Sequence, residues 1–372
     1  MSSEVDIAII GAGVVGLAIA AELAPAGVFV FEKNRSFGLE ASSRHSEVVH
    51  GGIPYPEDSL KARLCVEGNA LLYEFCEKHG VGCKRLGKIF SAVEEDEMEG
   101  LERLYEQARR NGVVGVSLIS GDEIKRLEPN VQGIAGMLSP SSGIADSYSF
   151  IKALYSKATS EDVNFVFNCE VIGIEKLDSK YKVTIKEEGG ISSFTTPILI
   201  NSAGLNAEKI AQLTGIDIAQ AGYKTYLLKG DYFSIPPKKW GLVKRLVYPV
   251  PGKVGVGIHN CIAVDGRTRL GPYEYYVEDI HYEVDGAERE LFYNFAKKYF
   301  PFLELEDLEP ESSGIRPLLQ SPDETVKDFV IAHEDKKGFS GLINLIGIES
   351  PGFTSSLAIG KYVKELVKEI GG

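Results

Sequence analysis

Gly11-Ala12-Gly13-Val14-Val15-Gly16 has the spacing G-x-G-x-x-G, and Glu32 stands roughly twenty residues beyond its first glycine. Residue types at these intervals suit a dinucleotide. Gly11 permits a tight turn, Gly13 lets main chain approach a pyrophosphate at a helix N-terminus, and Gly16 lets helix and strand pack closely. Glu32 can accept hydrogen bonds from ribose hydroxyls, and its charge disfavours a 2′-phosphate. The elements that must position these residues are legible around them. Val5 to Ile10 reads as a buried strand, Leu17 to Leu23 as a helical run, and Val28 to Phe31 as a second strand ending at Glu32. This unit alone does not choose between NAD and FAD.

The whole chain has 372 residues with 44% hydrophobic and 25% charged content, enough for two or three ordinary globular domains. Its 40 glycines make about 11% of the chain against a usual share of roughly 7%, which points to tight turns or close backbone approach to a ligand. Lys+Arg 40 against Asp+Glu 53 gives a net charge of −13. That balance argues against nucleic acid and against electrostatic docking on anionic lipid, so an anionic substrate needs local cations. Five cysteines, with no C-x-x-C pair, predict neither zinc nor a disulfide framework, and no metal site is expected. A reducing, cytoplasmic setting is the expectation. No apolar run reaches the roughly 20 residues that cross a bilayer, so a membrane contact would be peripheral, at the inner face.

Two further segments carry more than a connecting loop requires. Lys33 to Tyr55 holds Ser42, Ser43, Arg44, His45, Ser46, His50, Gly51, Gly52 and Tyr55. Near the other end, Ile343 to Ile346 reads as a strand, Gly347-Ile348-Glu349-Ser350-Pro351-Gly352-Phe353-Thr354 as a loop, and Ser356 to Ile370 as the terminal helix. A helix start there offers backbone donors to an electron-rich or anionic group.

These segments, with Ser59 to Cys65, Asn201-Ser202-Ala203-Gly204-Leu205, Lys229 to Tyr232, Gly257-Ile258-His259 and Gly314-Ile315-Arg316-Pro317, resemble the FAD-dependent oxidoreductases of the D-amino-acid oxidase superfamily. Within it the likeness is to the L-2-hydroxyglutarate dehydrogenase/oxidase branch, over nearly the whole chain, and Gly347 to Ser356 matches most specifically. The resemblance implies an α/β chain, α+β overall, with a Rossmann-like FAD-binding domain and a discontinuous second domain on a mostly antiparallel sheet. It implies FAD contacts from Gly11, Gly13, Gly16, Glu32, Lys33, Ser42, Ser43, Arg44, His45, Ser46, Gly51 and Gly52. Val171, Ala203, Gly204 and the loop Gly347, Ile348, Glu349, Ser350, Pro351, Gly352, Phe353 and Thr354 would complete that set, Asn201 to Gly204 ending a strand beside the first glycine loop. The FAD-binding domain is expected at 1–80, 140–215 and 325–372, the substrate-binding domain at 81–139 and 216–324, and the substrate between them.

Oxidising a 2-hydroxy acid requires loss of the hydroxyl proton, hydride transfer from C2 to flavin N5, and a cation for the carboxylate. Histidine accepts a proton near neutrality, which nominates His50 and His259. Arg316 offers a planar fork matched to a carboxylate. Lys61, Arg63, Lys229 and Tyr248 are candidates for recognising a second acidic group, with Tyr55 near the pocket mouth. His45 stands where the resembled branch typically has asparagine, while amine-oxidising members place a flavin-linked histidine in a similar loop, so covalent attachment and a plain hydrogen bond both stay open. The expected partners are a small carboxylate and an electron acceptor, which is oxygen, a quinone or a partner flavoprotein. Glycerol 3-phosphate or an amino acid on the same scaffold is the rival enzymatic reading, and a nucleotide-binding module without turnover is the non-enzymatic one.

Overall fold

The computed structural model describes residues 3–25, 27–252 and 257–371. The chain forms two compact units, one of Met1–Ser43, Ser147–Tyr226 and Arg316–Gly372, the other of Arg44–Asp146 and Leu227–Ile315.

The first unit is built on a six-stranded sheet in the order Asn164–Val166, Val28–Phe31, Ile7–Ile10, Ile198–Asn201, Leu342–Ile346, Val330–His333. Neighbours run parallel except the last pair. Ile7–Ile10 is buried at every position, the pattern of a strand covered on both faces. Helix Val14–Leu23 is apolar nearly all round because the helices Ser147–Ser160 and Gly352–Gly371 also pack on it. Gly360 makes one crossing possible: a Cβ there would meet the Ala18 carbonyl oxygen at 2.8 Å. A four-stranded sheet, Ser3–Glu4, Gly190–Thr196, Tyr181–Glu187 and Glu170–Lys176, contributes Tyr181, Val183, Ile185 and Phe194 to a core shared with Ile10, Phe31 and Leu199. The terminal helix starts at Gly352, earlier than Ser356, so Phe353 and Thr354 belong to its first turn and not to the loop.

The second unit carries two four-stranded sheets. One runs His259–Ile262, Thr268–Val277, Tyr226–Ser234, Glu309–Leu318, the other Leu246–Pro249, Lys88–Ala92, Ala135–Ser139, Ser117–Ser120. Thr268–Val277 pairs antiparallel with both His259–Ile262 and Tyr226–Ser234, and Ala135–Ser139 pairs antiparallel with both Lys88–Ala92 and Ser117–Ser120, whereas Leu246–Pro249 runs parallel to Lys88–Ala92. The acidic run 94–111 forms a short turn, Glu95–Glu97, and the helix Met98–Arg110, which buries Leu101, Leu104 and Ala108.

Residues 44–80, expected with the nucleotide unit, pack in the second unit. Val48–Val49 pairs with Gly143–Ala145, which also pairs with Cys83–Lys84. Asn69, on helix Leu60–His79, donates to the carbonyls of His50 (2.9 Å) and Ser141 (3.0 Å). The same strand keeps 140–146 there. No helix among the described residues is long and apolar enough to cross a membrane.

Candidate functional site

Steric contacts require glycine at two of the fingerprint positions. Gly11 has φ +101°, and a Cβ on it would lie 2.7 Å from the Ser202 carbonyl oxygen. A Cβ on Gly16 would meet the Gly11 carbonyl oxygen at 2.0 Å. Gly13 is the N-cap of helix Val14–Leu23, with no side-chain cap and no acid in the first turn. Val14 N donates to Ser42 Oγ at 2.9 Å, which brings a hydroxyl to the same helix start. Open backbone donors, a hydroxyl and the positive end of the helix dipole form a cradle for a diphosphate.

Glu32 ties the second strand to this loop. Its Oε2 accepts from Ala12 N at 2.8 Å, and Oε1 accepts from Asn34 N and Nδ2, each at 2.8 Å. A carboxylate oxygen has two lone pairs, so these bonds leave acceptor capacity for a ribose hydroxyl. Cys169 N donates to the Glu32 carbonyl at 2.9 Å and sets the start of Glu170–Lys176 beside it, where Val171 is buried and pairs with Ile185. Lys33 pairs with Glu40 at 2.6 Å, and Ser43 Oγ donates to the Glu40 carbonyl at 2.9 Å. These are local contacts within the loop.

Ile198–Asn201 runs parallel to Ile7–Ile10, and Ser202 Oγ donates to the Ile10 carbonyl at 3.0 Å, so the Asn201 to Gly204 turn does stand beside the first glycine loop. Ala203 N donates to Asn201 Oδ1 at 3.3 Å, and Gly204 is left-handed at φ +55°. Behind the turn lies a buried network that the sequence reading did not anticipate. Asn201 Nδ2 donates to Asn344 Oδ1 (2.8 Å), Asn344 Nδ2 to Glu334 Oε1 (2.9 Å), and Tyr223 OH to the same Glu334 oxygen (2.6 Å), while Lys337 pairs with Glu334 at 2.7 Å. Burial, helped by the bond to Glu334, pushes the Tyr223 hydroxyl up to about 12. Removing the carboxylate leaves buried donors unsatisfied. Glu334→Ala should therefore lower the unfolding free energy by about 3 kcal/mol in a urea titration, and an unchanged midpoint would mean the network contributes nothing.

In the C-terminal loop Gly347 has φ +68°, and a Cβ would approach Leu319 Cγ to 2.6 Å. Ile348, Glu349 and Ser350 are partly exposed, whereas Pro351, Gly352 and Thr354 are buried. Phe353 meets Phe150 edge to face with centroids 5.3 Å apart. Arg316, expected to face a substrate carboxylate, donates from Nη1 to Glu349 Oε2 at 3.2 Å.

The second unit gathers a separate set of polar side chains. The His259 ring stacks on Tyr248 with centroids 3.6 Å apart and an interplanar angle of 12°. Its Nδ1 lies 3.1 Å from the Asn260 carbonyl and 3.5 Å from Cys261 Sγ, and burial holds its pKa down at about 3. Tyr248 is buried and its hydroxyl has no hydrogen-bond partner among the described residues. His50 is half-buried, its carbonyl fixed by Asn69 and approached by Cys65 Sγ at 3.6 Å. Tyr55 packs with Cys65 and Ala62, and its carbonyl accepts from Gln107 Nε2 (2.8 Å) and Asn111 Nδ2 (2.9 Å). Lys88, which was not anticipated, places Nζ 3.8 Å from the Tyr248 ring centroid. Its signal was a lone lysine opening the strand Lys88–Ala92, all of whose positions are buried.

Other expected residues make contacts of their own. Lys229, expected to hold an acidic group of the substrate, is fully buried with Nζ donating to the Glu283 carbonyl and 3.5 Å from Asp231 Oδ1. That ammonium is committed to its own unit. Lys61 is buried in the first turn of helix Leu60–His79. Gly51 and Gly52, expected at the cofactor, are explained by packing within the second unit: a Cβ would lie 3.2 Å from Ser139 Oγ at the first and 2.6 Å from Val66 Cγ2 at the second. Arg44 lies over the Tyr282 ring at 3.9 Å, and its carbonyl oxygen would sit 2.0 Å from a Cβ on Gly314. His45 Nδ1 accepts from Glu47 N at 3.1 Å, its carbonyl accepts from Arg269 at 2.7 Å, and Ser46 between them is partly exposed.

Comparison with known proteins agrees with this architecture. The family model described as FAD dependent oxidoreductase matches residues 6–366. L-2-hydroxyglutarate dehydrogenase of Arabidopsis thaliana, a mitochondrial protein, is 36% identical, covering 97% of this chain and 83% of the relative. Glycerol 3-phosphate dehydrogenase of Caloramator mitchellensis is 30% identical, covering 98% and 74%. Among solved structures, L-alpha-glycerophosphate oxidase from Mycoplasma pneumoniae with FAD bound superposes with a TM-score of 0.88 at 26% identity, covering 99% of this chain and 95% of that one. With the fingerprint cradle in place and the match spanning nearly every residue, the chain belongs to the FAD dependent oxidoreductase family and takes FAD as its cofactor.

Proposed function

We propose that the protein oxidises a small 2-hydroxy acid, L-2-hydroxyglutarate being favoured, to the corresponding 2-oxo acid. The observation that carries this reading is the presence of both His50 and His259 in one unit of a chain 36% identical to an L-2-hydroxyglutarate dehydrogenase. FAD, when bound, supplies the hydride acceptor. In the first unit Gly11, Gly13, Gly16 and Ser42 would hold its diphosphate, Glu32 its ribose, and Gly347 to Thr354 its isoalloxazine. His50 takes the hydroxyl proton as C2 loses hydride, the role of a general base. His259, kept neutral by burial, accepts or donates a hydrogen bond without adding charge. Arg316 receives the C1 carboxylate, sharing its guanidinium with Glu349.

Electrons then pass to oxygen, a quinone or a partner flavoprotein; peroxide formation would identify the first. Five free thiols suit a reducing compartment, and we place the reaction in the cytoplasm. The similarity to a glycerol 3-phosphate dehydrogenase and to a glycerophosphate oxidase supports glycerol 3-phosphate as the second reading. Anaerobic bleaching of the flavin absorbance across hydroxy acids, glycerol 3-phosphate and amino acids separates the two. Bleaching by L-2-hydroxyglutarate at the lowest concentration is expected, and reduction by an amine with no response to any 2-hydroxy acid would overturn the proposal.

A further inference from the structure

Lys88 is a buried cation without an acid. Its residue exposure is 2%, and among the described residues no carboxylate pairs with it and no hydrogen bond reaches Nζ. A charge held this way is costly, and structures keep such groups where a ligand completes them. Its neighbours are rings and thiols: Tyr248 at 3.8 Å, Phe90 at 5.6 Å, and Cys65 and Cys261 close enough to be felt electrostatically.

The His259 ring, parallel to Tyr248 at 3.6 Å, covers one face of the phenol. An ammonium 3.8 Å from the same centroid must therefore lie over the opposite face. On the rim of that ring is the Tyr248 hydroxyl, itself buried and, among the described residues, unpartnered. An unpaired cation and an unpaired hydroxyl thus share one aromatic ring, within the span that the two oxygens of a single carboxylate can bridge. Both belong to the second unit, as do His50 and His259.

We propose that Lys88 and the Tyr248 hydroxyl receive the second acidic group of a dicarboxylate 2-hydroxy acid, making Lys88 the residue that selects diacids over monoacids. This rests on the functional reading above. Lys88 takes the role the sequence had offered to Lys61 and Lys229. The carboxylate satisfies the ammonium and accepts from the Tyr248 hydroxyl, so ammonium and hydroxyl together hold it.

The assignment has a pH signature. Burial brings Lys88 down to about 7, so above that pH the ligand-free amine is neutral and a docking carboxylate must restore its proton. The facing titratable groups are Cys65 from Leu60–His79, Tyr248 from Leu246–Pro249, and His259 and Cys261 from His259–Ile262, with Arg269 of Thr268–Val277 acting on the last two. Burial keeps both thiols and the phenol protonated and His259 neutral through this range, which leaves Lys88 as the group that titrates.

The test compares L-2-hydroxyglutarate with L-2-hydroxypentanoate, which has the same chain length and lacks the second acid, in FAD-loaded wild type, Lys88→Met and Lys88→Arg. In wild type, KM for the diacid should rise by up to about tenfold per pH unit above pH 7 while that for the monoacid stays level. Lys88→Met should raise KM for the diacid about 10²-fold, leave the monoacid within a few-fold, and abolish the pH dependence, with Lys88→Arg restoring part of the preference. Methionine in place of a buried unpaired cation is not expected to unfold the chain, and unchanged FAD content and Tm would establish that. Equal losses for both acids, or none for either, would overturn the role of Lys88 alone. Wild-type flavin bleached by glycerol 3-phosphate and by neither hydroxy acid would overturn the functional reading and the diacid assignment with it.

Discussion

Replacing His50 with glutamine should slow anaerobic flavin reduction by a 2-hydroxy acid by roughly 10²- to 10⁴-fold at neutral pH, the usual contribution of a positioned general base. Glutamine keeps hydrogen-bonding capacity and approximate size but takes no proton. The His50 carbonyl, anchored by Asn69, is untouched by the change, so the surrounding turn should hold. FAD content is expected to stay at the wild-type level, which separates a lost base from a lost cofactor. Stopped-flow absorbance at the flavin band measures the rate. If His50→Gln reduces its flavin at the wild-type rate, the proton leaves by another route.

The second large effect is expected at Gly16. A Cβ there would stand 2.0 Å from the Gly11 carbonyl oxygen and 2.8 Å from Ser202 Oγ. The serine can rotate away, but the carbonyl is main chain and belongs to the turn that would hold the diphosphate. Gly16→Ala gains about 1 kcal/mol of helix propensity and meets an overpacking cost of about 1–3 kcal/mol, so stability should change modestly while the turn is displaced. FAD affinity should then drop by at least about 10²-fold, since each lost backbone contact to an anion weighs more than the packing change. Gel filtration followed by the ratio of flavin to protein absorbance reads the loss. Gly222→Ala is the control, because nothing lies within 4 Å of a Cβ there and only its φ of +70° opposes the side chain. Full FAD retention by Gly16→Ala would remove the fingerprint from the cofactor's site.

What could be read from residues alone follows the range of the interactions involved. Gly11, Gly13, Gly16 and Glu32 were legible because the turn, the helix start and the acid lie within one βαβ unit, where spacing is itself geometry. Helix Val14–Leu23 and strand Val28–Phe31 came with them, since apolar runs bounded by glycine leave few alternatives. The departure of the chain from the first unit after Ser43 was not legible. It depends on Val48–Val49, a strand of 2 residues whose partner Gly143–Ala145 is remote in sequence. The surroundings of charged residues at buried positions were not legible for a related reason. Lys229 finds Asp231 and the Glu283 carbonyl only once two strands have paired, and Lys88 meets Tyr248 only through the parallel pairing of Leu246–Pro249 with Lys88–Ala92. A lysine in a short strand otherwise reads as solvent-facing, because burying one alone is unfavourable.

The close crossing of Gly360 on Ala18 bears on the order in which the nascent chain can fold. Strand Ile7–Ile10 emerges first, yet one of its neighbours is Ile198–Asn201, and the helix beside it needs Gly352–Gly371. The first unit thus closes pairings of very high sequence separation, while every segment of the second, through Ile315, has already been synthesised. Folding during translation should complete the second unit first and leave Ile7–Ile10 and its helix exposed for most of synthesis. Chains arrested before Gly360 should then show protease protection over 44–146 and 227–315 together with cleavage near the N-terminus, making the earliest-made segment the last to be secured.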